Sequence, residues 1–131
     1  MSLSLASVGA ITLFVEDLGR AKEFYRVVFG APVIHEDGES AAFTFDNTIV
    51  NLLVSTAAGE LVAPVAVGAA GGGPRCQYTV WVDDAGAACA LLAERGVTLL
   101  NGPVDRPWGV RTAAFADPDG NIWEIAQSLR S

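Results

Sequence analysis

A single imidazole sets the first limit on what this chain can do. His35 is the only histidine, so a site that needs two imidazoles from one chain is excluded. It stands next to Glu36 on a β-like segment and reads as a surface or hydrogen-bonded side chain rather than a catalytic one. Cys76 and Cys89 form no CxxC pair and read as reduced, mostly buried thiols. The most unusual stretch is Gly102-Pro103-Val104-Asp105-Arg106-Pro107-Trp108-Gly109-Val110-Arg111. Its two prolines and two glycines stiffen and turn the backbone, and it carries Trp108 with Arg106 and Arg111. The glycine run Gly71-Gly72-Gly73 lacks the Gly-Lys-Ser/Thr ending of a phosphate-binding loop and does not join a strand to a helix.

These residues must be positioned by elements, and the elements repeat. Ala10-Ile11-Thr12-Leu13-Phe14-Val15-Glu16-Asp17 matches Gln77-Tyr78-Thr79-Val80-Trp81-Val82-Asp83-Asp84 in pattern. In each strand, alternation puts Ile11, Leu13 and Val15, or Tyr78, Val80 and Val82, on one face. Ala10, Thr12 and Phe14, or Gln77, Thr79 and Trp81, take the other. Asp17 and Asp84 are suited to cap a helix, because a carboxylate there accepts a first-turn N–H. Leu18, Ala21, Phe24, Tyr25, Val28 and Phe29 follow at helical spacing, as do Ala85, Ala88, Leu91, Leu92 and Arg95. Gly30 and Gly96 suit helix termination.

Strands are then expected at 33–36, 40–45 and 48–54 in the first half, and at 97–100, 110–116 and 121–127 in the second. Turns fall at Asp37-Gly38, Asp46-Asn47 and Asp117-Pro118-Asp119-Gly120. The expected fold is α+β: two tandem βαβββ modules, at 1–55 and 76–131, joined by an Ala/Gly-rich linker at 56–75. The linker is apolar enough to pack on something, a partner subunit being one option. The whole is expected to form one compact domain.

Composition narrows the partners. Of 131 residues, 51% are hydrophobic and only 18% charged, so the chain has apolar area to hide beyond a simple core. An oligomer interface or an apolar pocket would hide it. With 15 acidic and 8 basic residues the net charge is −7. No basic patch is available for nucleic acid, and an anionic membrane surface is disfavoured. There is no 18-residue apolar run for a membrane span and no basic leader for a secretory signal. A cytoplasmic protein is expected.

The repeat resembles the vicinal oxygen chelate superfamily, which includes glyoxalase I, bleomycin-resistance proteins and extradiol dioxygenases. The likeness rests on Val15-Glu16-Asp17-Leu18 with Ala21 and Phe24-Tyr25, and on the run Phe115 to Glu124, over about residues 8–127. It implies a curved, partly open sheet around a cleft. It also implies four metal-ligand positions, which here hold Ala10, Asn51, Gln77 and Glu124. Alanine has no donor atom, two positions offer neutral amides, and only Glu124 is anionic. Divalent transition metals prefer imidazole, thiolate and carboxylate. No metal cofactor is therefore expected, a weakly bound divalent metal being the alternative, and extradiol dioxygenase activity is excluded.

The same resemblance makes Thr12, Phe14, Asn51, Gln77, Thr79, Trp81 and Glu124 line a small-molecule cleft. It sets 102–111 near the cleft mouth. There Trp108 acts as a lid and Arg106 or Arg111 holds an anionic group. Alternatively the segment is a rigid turn whose Arg pairs with a nearby carboxylate. Glu124 reads either as a general base or counter-ion, or as a structural carboxylate. Trp123, of opposite phase, belongs to the core. The function implied is sequestration of an aromatic or cationic compound by a homodimer, as in bleomycin-resistance proteins. The alternative is a glyoxalase-like lyase or isomerase using Glu124 as base or metal ligand.

Overall fold

A computed structural model describes residues 5–74 and 76–130; the extreme N-terminus and Arg75 lie outside the described residues. The chain divides into two compact units, 1–68 and 69–131. Each is built around a four-stranded mixed sheet with a helix on one face.

In the first unit, β1 (Ala10–Val15) leads into α1 (Leu18–Phe29), followed by β2 (Val33–Glu36), β3 (Ser40–Thr44) and β4 (Ile49–Val54). The sheet order is β1-β4-β3-β2, with β1 parallel to β4 and the other pairs antiparallel. The Asp17 carboxylate caps α1 by accepting from Arg20 N at 3.0 Å, and Gly30 closes it at φ 64°. Ala21, Tyr25 and Val28 are buried on the inner face of α1. Tyr25 stacks on Phe29 at 5.4 Å and meets Phe43 of β3 at 6.1 Å. Leu13, Val15, Ala41, Phe43, Val50 and Leu52 complete this core. Each large apolar side chain so buried contributes about 1.5–3 kcal/mol.

The expected linker starts with structure of its own. Ser55–Val62 forms α2, which contacts β4 and β1 and buries Ala58 completely. It packs on its own unit's sheet. No side chain caps its start, and that missing signal hid it from the sequence.

In the second unit, β5 (Gln77–Trp81) leads into α3 (Ala85–Glu94), then β6 (Asn101–Arg106), β7 (Val110–Ala116) and β8 (Ile122–Ser128). The order is β5-β8-β7-β6, the same topology. Asp84 caps α3 through Ala87 N at 3.0 Å. Trp123, Ile125 and Phe115 are buried, and Trp123 lies against Tyr78 at 5.1 Å. On α3 the buried residues are Ala85 and Leu92, whereas Leu91 is exposed. Alanine on every side of this helix blurs its apolar stripe.

One expected strand moves. Residues 97–100 are irregular, and β6 is instead Asn101–Arg106, the first half of the supposed lid. Proline and glycine there signal a bulge on an edge strand rather than a turn. The register jumps between Asn101↔Ala114 and Val104↔Thr112. Gly102, at φ 87°, lies so close to β7 that a Cβ would meet Thr112 O at 2.4 Å.

Candidate functional site

Strand register decides which candidate side chains meet. In the second unit the face opposite α3 carries Gln77, Thr79 and Trp81 from β5. Ile122, Glu124 and Ala126 come from β8, and Thr112 and Ala114 from β7. Thr79 stands opposite Glu124, and its hydroxyl donates to Glu124 Oε1 at 3.0 Å. One row along, Trp81 stands opposite Ala126, with Thr112 and Val104 beyond. Trp81 is 67% exposed, while Ala126 and Thr112 are 2% exposed. Arg106 shares this face, its Nε donating to Thr112 Oγ1 at 3.0 Å.

The turn before β8 fixes where Glu124 falls. Buried Asp117 accepts from Asp119 N and Asn121 N through Oδ1, and from Asn121 Nδ2 through Oδ2, all at 2.9 Å. Gly120, at φ 83°, completes the reversal. With the turn saturated, the phase of β8 is set: Trp123 points to the core and Glu124 away from it.

Arg111 and Trp108 do not join this group. In an antiparallel pair in which Arg106 faces Val110, Arg111 faces Asp105 and takes the opposite side of the sheet. Its neighbour on β8 is Gln127, whose Oε1 accepts from Ala85 N at the start of α3. Arg111 grips Asp105 through Nε at 2.6 Å and a second nitrogen at 3.2 Å. That bond holds the Asp105 carboxyl below its ordinary range and raises the Arg111 guanidinium. This is the carboxylate pairing weighed for the segment. Trp108 sits in the β6–β7 turn, 62% exposed, and its carbonyl accepts from Arg130 at 3.3 Å.

In the first unit the face opposite α1 holds Thr12 and Phe14 of β1 with Asn51 and Leu53 of β4. Thr12 and Asn51 are directly paired, as Thr79 and Glu124 are in the second unit. Beyond Asn51 the row continues through Ala42 of β3 to His35 of β2. Simple alternation does not group His35 with these residues, because a register shift in β2 changes its face.

The four positions at which the resemblance implies metal ligands do not fit that role. Ala10 offers a methyl group, Asn51 and Gln77 offer amides, and Glu124 is already bonded to Thr79. Among the described residues no group of three or more His, Cys, Asp or Glu side chains is placed to hold a metal ion. The thiols are more accessible than expected: Cys76 is exposed and Cys89 half-buried, with burial raising the latter's pKa. They lie just before β5 and within α3, not packed in a core. Tyr78 is pushed up to about 12, chiefly by burial and then by a hydrogen bond with Cys76, so it stays protonated.

Comparison with known proteins agrees with this architecture. The model of the Glyoxalase/Bleomycin resistance protein/Dioxygenase superfamily matches residues 7–125. An uncharacterized Bacillus subtilis protein, YraH, is 32% identical over 123 residues, which cover 91% of this chain and 96% of that one. A glyoxalase/bleomycin resistance protein/dioxygenase from Nocardioides superposes with a TM-score of 0.88 at 23% identity, covering 99% of this chain and 88% of the other. TnmS3, an antibiotic-binding protein from Streptomyces sp. CB03234, superposes with a TM-score of 0.72 at 26% identity. The match covers 97% of this chain and 99% of TnmS3.

Proposed function

This chain belongs to the Glyoxalase/Bleomycin resistance protein/Dioxygenase superfamily, and on that premise we propose that it sequesters a small aromatic or cationic compound without a resident metal. One observation carries the reading: the Glu124 carboxylate, oriented by Thr79, stands on the same sheet face as the exposed indole of Trp81. An aromatic face attracts a cation by about 0.5–2 kcal/mol, depending on desolvation. A neighbouring carboxylate adds a charge-assisted hydrogen bond. The net charge of −7 favours the approach of a cation. The likeness to an antibiotic-binding protein supports the same reading. Gln77, on the same face of β5, supplies further hydrogen bonding. The working form is a cytoplasmic homodimer.

The competing reading, a glyoxalase-like lyase or isomerase with Glu124 as base, shares these residues but needs turnover. Thermal shift with proflavine, a flat aromatic cation, tests binding directly. A ligand that binds only the folded state adds about 2.7 kcal/mol at a hundredfold excess over its Kd. Metal analysis of freshly purified protein completes the test. Saturable stabilisation with substoichiometric metal is expected, and stoichiometric bound Ni, Zn, Fe or Mn would refute the metal-free reading.

A further inference from the structure

Two arginines leave the β6–β7 hairpin on opposite faces, and the structure matches the charge of one of them. Arg111 is held by the Asp105 carboxylate. Arg106 stands on the other face, the one that carries Thr112, Glu124 and Trp81. Its Nε donates to Thr112 Oγ1 at 3.0 Å, and Thr112 is buried. That bond anchors the guanidinium to a side chain that cannot move away. Among the described residues the ion pairs join Lys22 to Glu36, Arg26 to Glu23, His35 to Asp37 and Arg111 to Asp105. Arg106 is in none of them. A guanidinium carries its donors in a rigid planar fork. With Nε given to Thr112, the N–H groups of the two terminal nitrogens remain for another acceptor.

Register sets the spacing between this charge and the carboxylate of the site. Thr112 pairs with Ala126, and Ala114 with Glu124. Thr112 and Glu124 are therefore diagonal neighbours on one face, about 7–8 Å apart between backbones. Ala126 and Ala114 take the other diagonal and contribute only methyl groups to the surface. Trp81 stands beside Ala126. A guanidinium tied to Thr112 and a carboxylate tied to Thr79 thus share a face and form no ion pair with each other. A ligand that is only a cation satisfies Glu124 and leaves a like charge unmatched at Arg106. A ligand with an anionic group at its far end turns that like charge into a partner.

We infer that Arg106 is a specificity-determining residue, and that the ligands preferred by this face are aromatic zwitterions: a cationic group at Glu124, a ring beside Trp81 and a carboxylate on Arg106. The inference rests on the small-molecule-binding reading above and adds a second charge to its ligand class. A carboxylate suits the free end of the guanidinium because the two are planar and meet in two parallel hydrogen bonds. Lysine, with one nitrogen, could not hold Thr112 and present such a fork at once. The spacing of the two charges suits a single benzene ring with its charged substituents at opposite ends.

The probe is para-(aminomethyl)benzoic acid, set against para-(aminomethyl)benzamide, which keeps the cation, the ring and the shape but loses the negative charge. NMR titration of the full chain at neutral pH and low salt gives both Kd values. Wild type should bind the acid about tenfold more tightly than the amide, the lower end of the range for a hydrogen bond between charged groups. Arg106→Gln should erase that preference while binding proflavine, a cation with no acid group, no more weakly than wild type. Arg111→Gln should keep it. Equal affinity for acid and amide in wild type, a comparison that needs no variant, overturns the inference. So does an acid preference that survives Arg106→Gln, or an Arg106→Gln protein that loses proflavine along with the acid. Failure of the underlying cation-binding reading is visible separately, as absence of proflavine binding to wild type.

Discussion

Trp81 and Trp123 lie on different strands and on opposite faces of the same sheet, and truncating each to alanine separates site from core. A fully buried tryptophan side chain removes about 150–250 Å² from water. At about 25 cal/mol/Å² that is roughly 4–6 kcal/mol. Trp123 is 4% exposed and packed on Tyr78, so Trp123→Ala should cost about 3–5 kcal/mol, in the range of large aromatic truncations. Trp81 is 67% exposed; only a third of its area is buried, and Trp81→Ala should cost at most about 1–2 kcal/mol. Binding should show the reverse. Losing the cation–π face costs about 0.5–2 kcal/mol, a two- to thirtyfold rise in the Kd for proflavine. Urea unfolding and fluorescence titration of both variants give the four numbers. Equal destabilisation, or a proflavine Kd unchanged in Trp81→Ala, would refute the assignment of faces.

Three further outcomes follow from the same structure. Gly102→Ala places a Cβ against Thr112 O and Ala113 at φ 87°; backbone strain of about 1–2 kcal/mol and overpacking of about 1–3 kcal/mol should lower unfolding stability by about 2–5 kcal/mol. Asp84→Ala removes the cap bonded to Ala87 N and should cost about 0.5–2 kcal/mol in the same assay, nearer 1. Asp37 is held below its ordinary value of 3.8, first by the Glu39 backbone N–H and also by Ser40 and His35. Its contribution is therefore present above that value and lost as pH falls through the lower folded value. Stability of Asp37→Asn should consequently fall less steeply than wild type over that acid range, measured by denaturation at a series of pH values.

The architecture was legible because its signals are local and doubled. Asp17 and Asp84 cap as read, Gly30 adopts the left-handed conformation, and the phase of both first strands holds. Trp123 and Glu124 fall on opposite faces, as alternation from the Asp117 turn requires. What escaped the sequence depends on register. Pro103 disguised an edge strand as a turn, and the parity that sends Arg106 and Arg111 to opposite faces emerges only once Arg106 is paired with Val110. His35 was missed for the same reason, since one inserted residue, Ile34, reverses the face of everything after it. Helix α2 was missed because nothing caps its start and Gly59 interrupts it.

On the proposed function, Glu124 serves as the counter-ion for a bound cationic ligand without a metal. Calorimetric titration of EDTA-treated protein with proflavine, wild type beside Glu124→Gln, tests it most directly. Saturable binding to the chelated wild type is predicted, weakened roughly ten- to hundredfold in Glu124→Gln, the effect of losing a hydrogen bond to a charged group. Binding that disappears on chelation and returns with a divalent metal, or that is indifferent to Glu124→Gln, would contradict it.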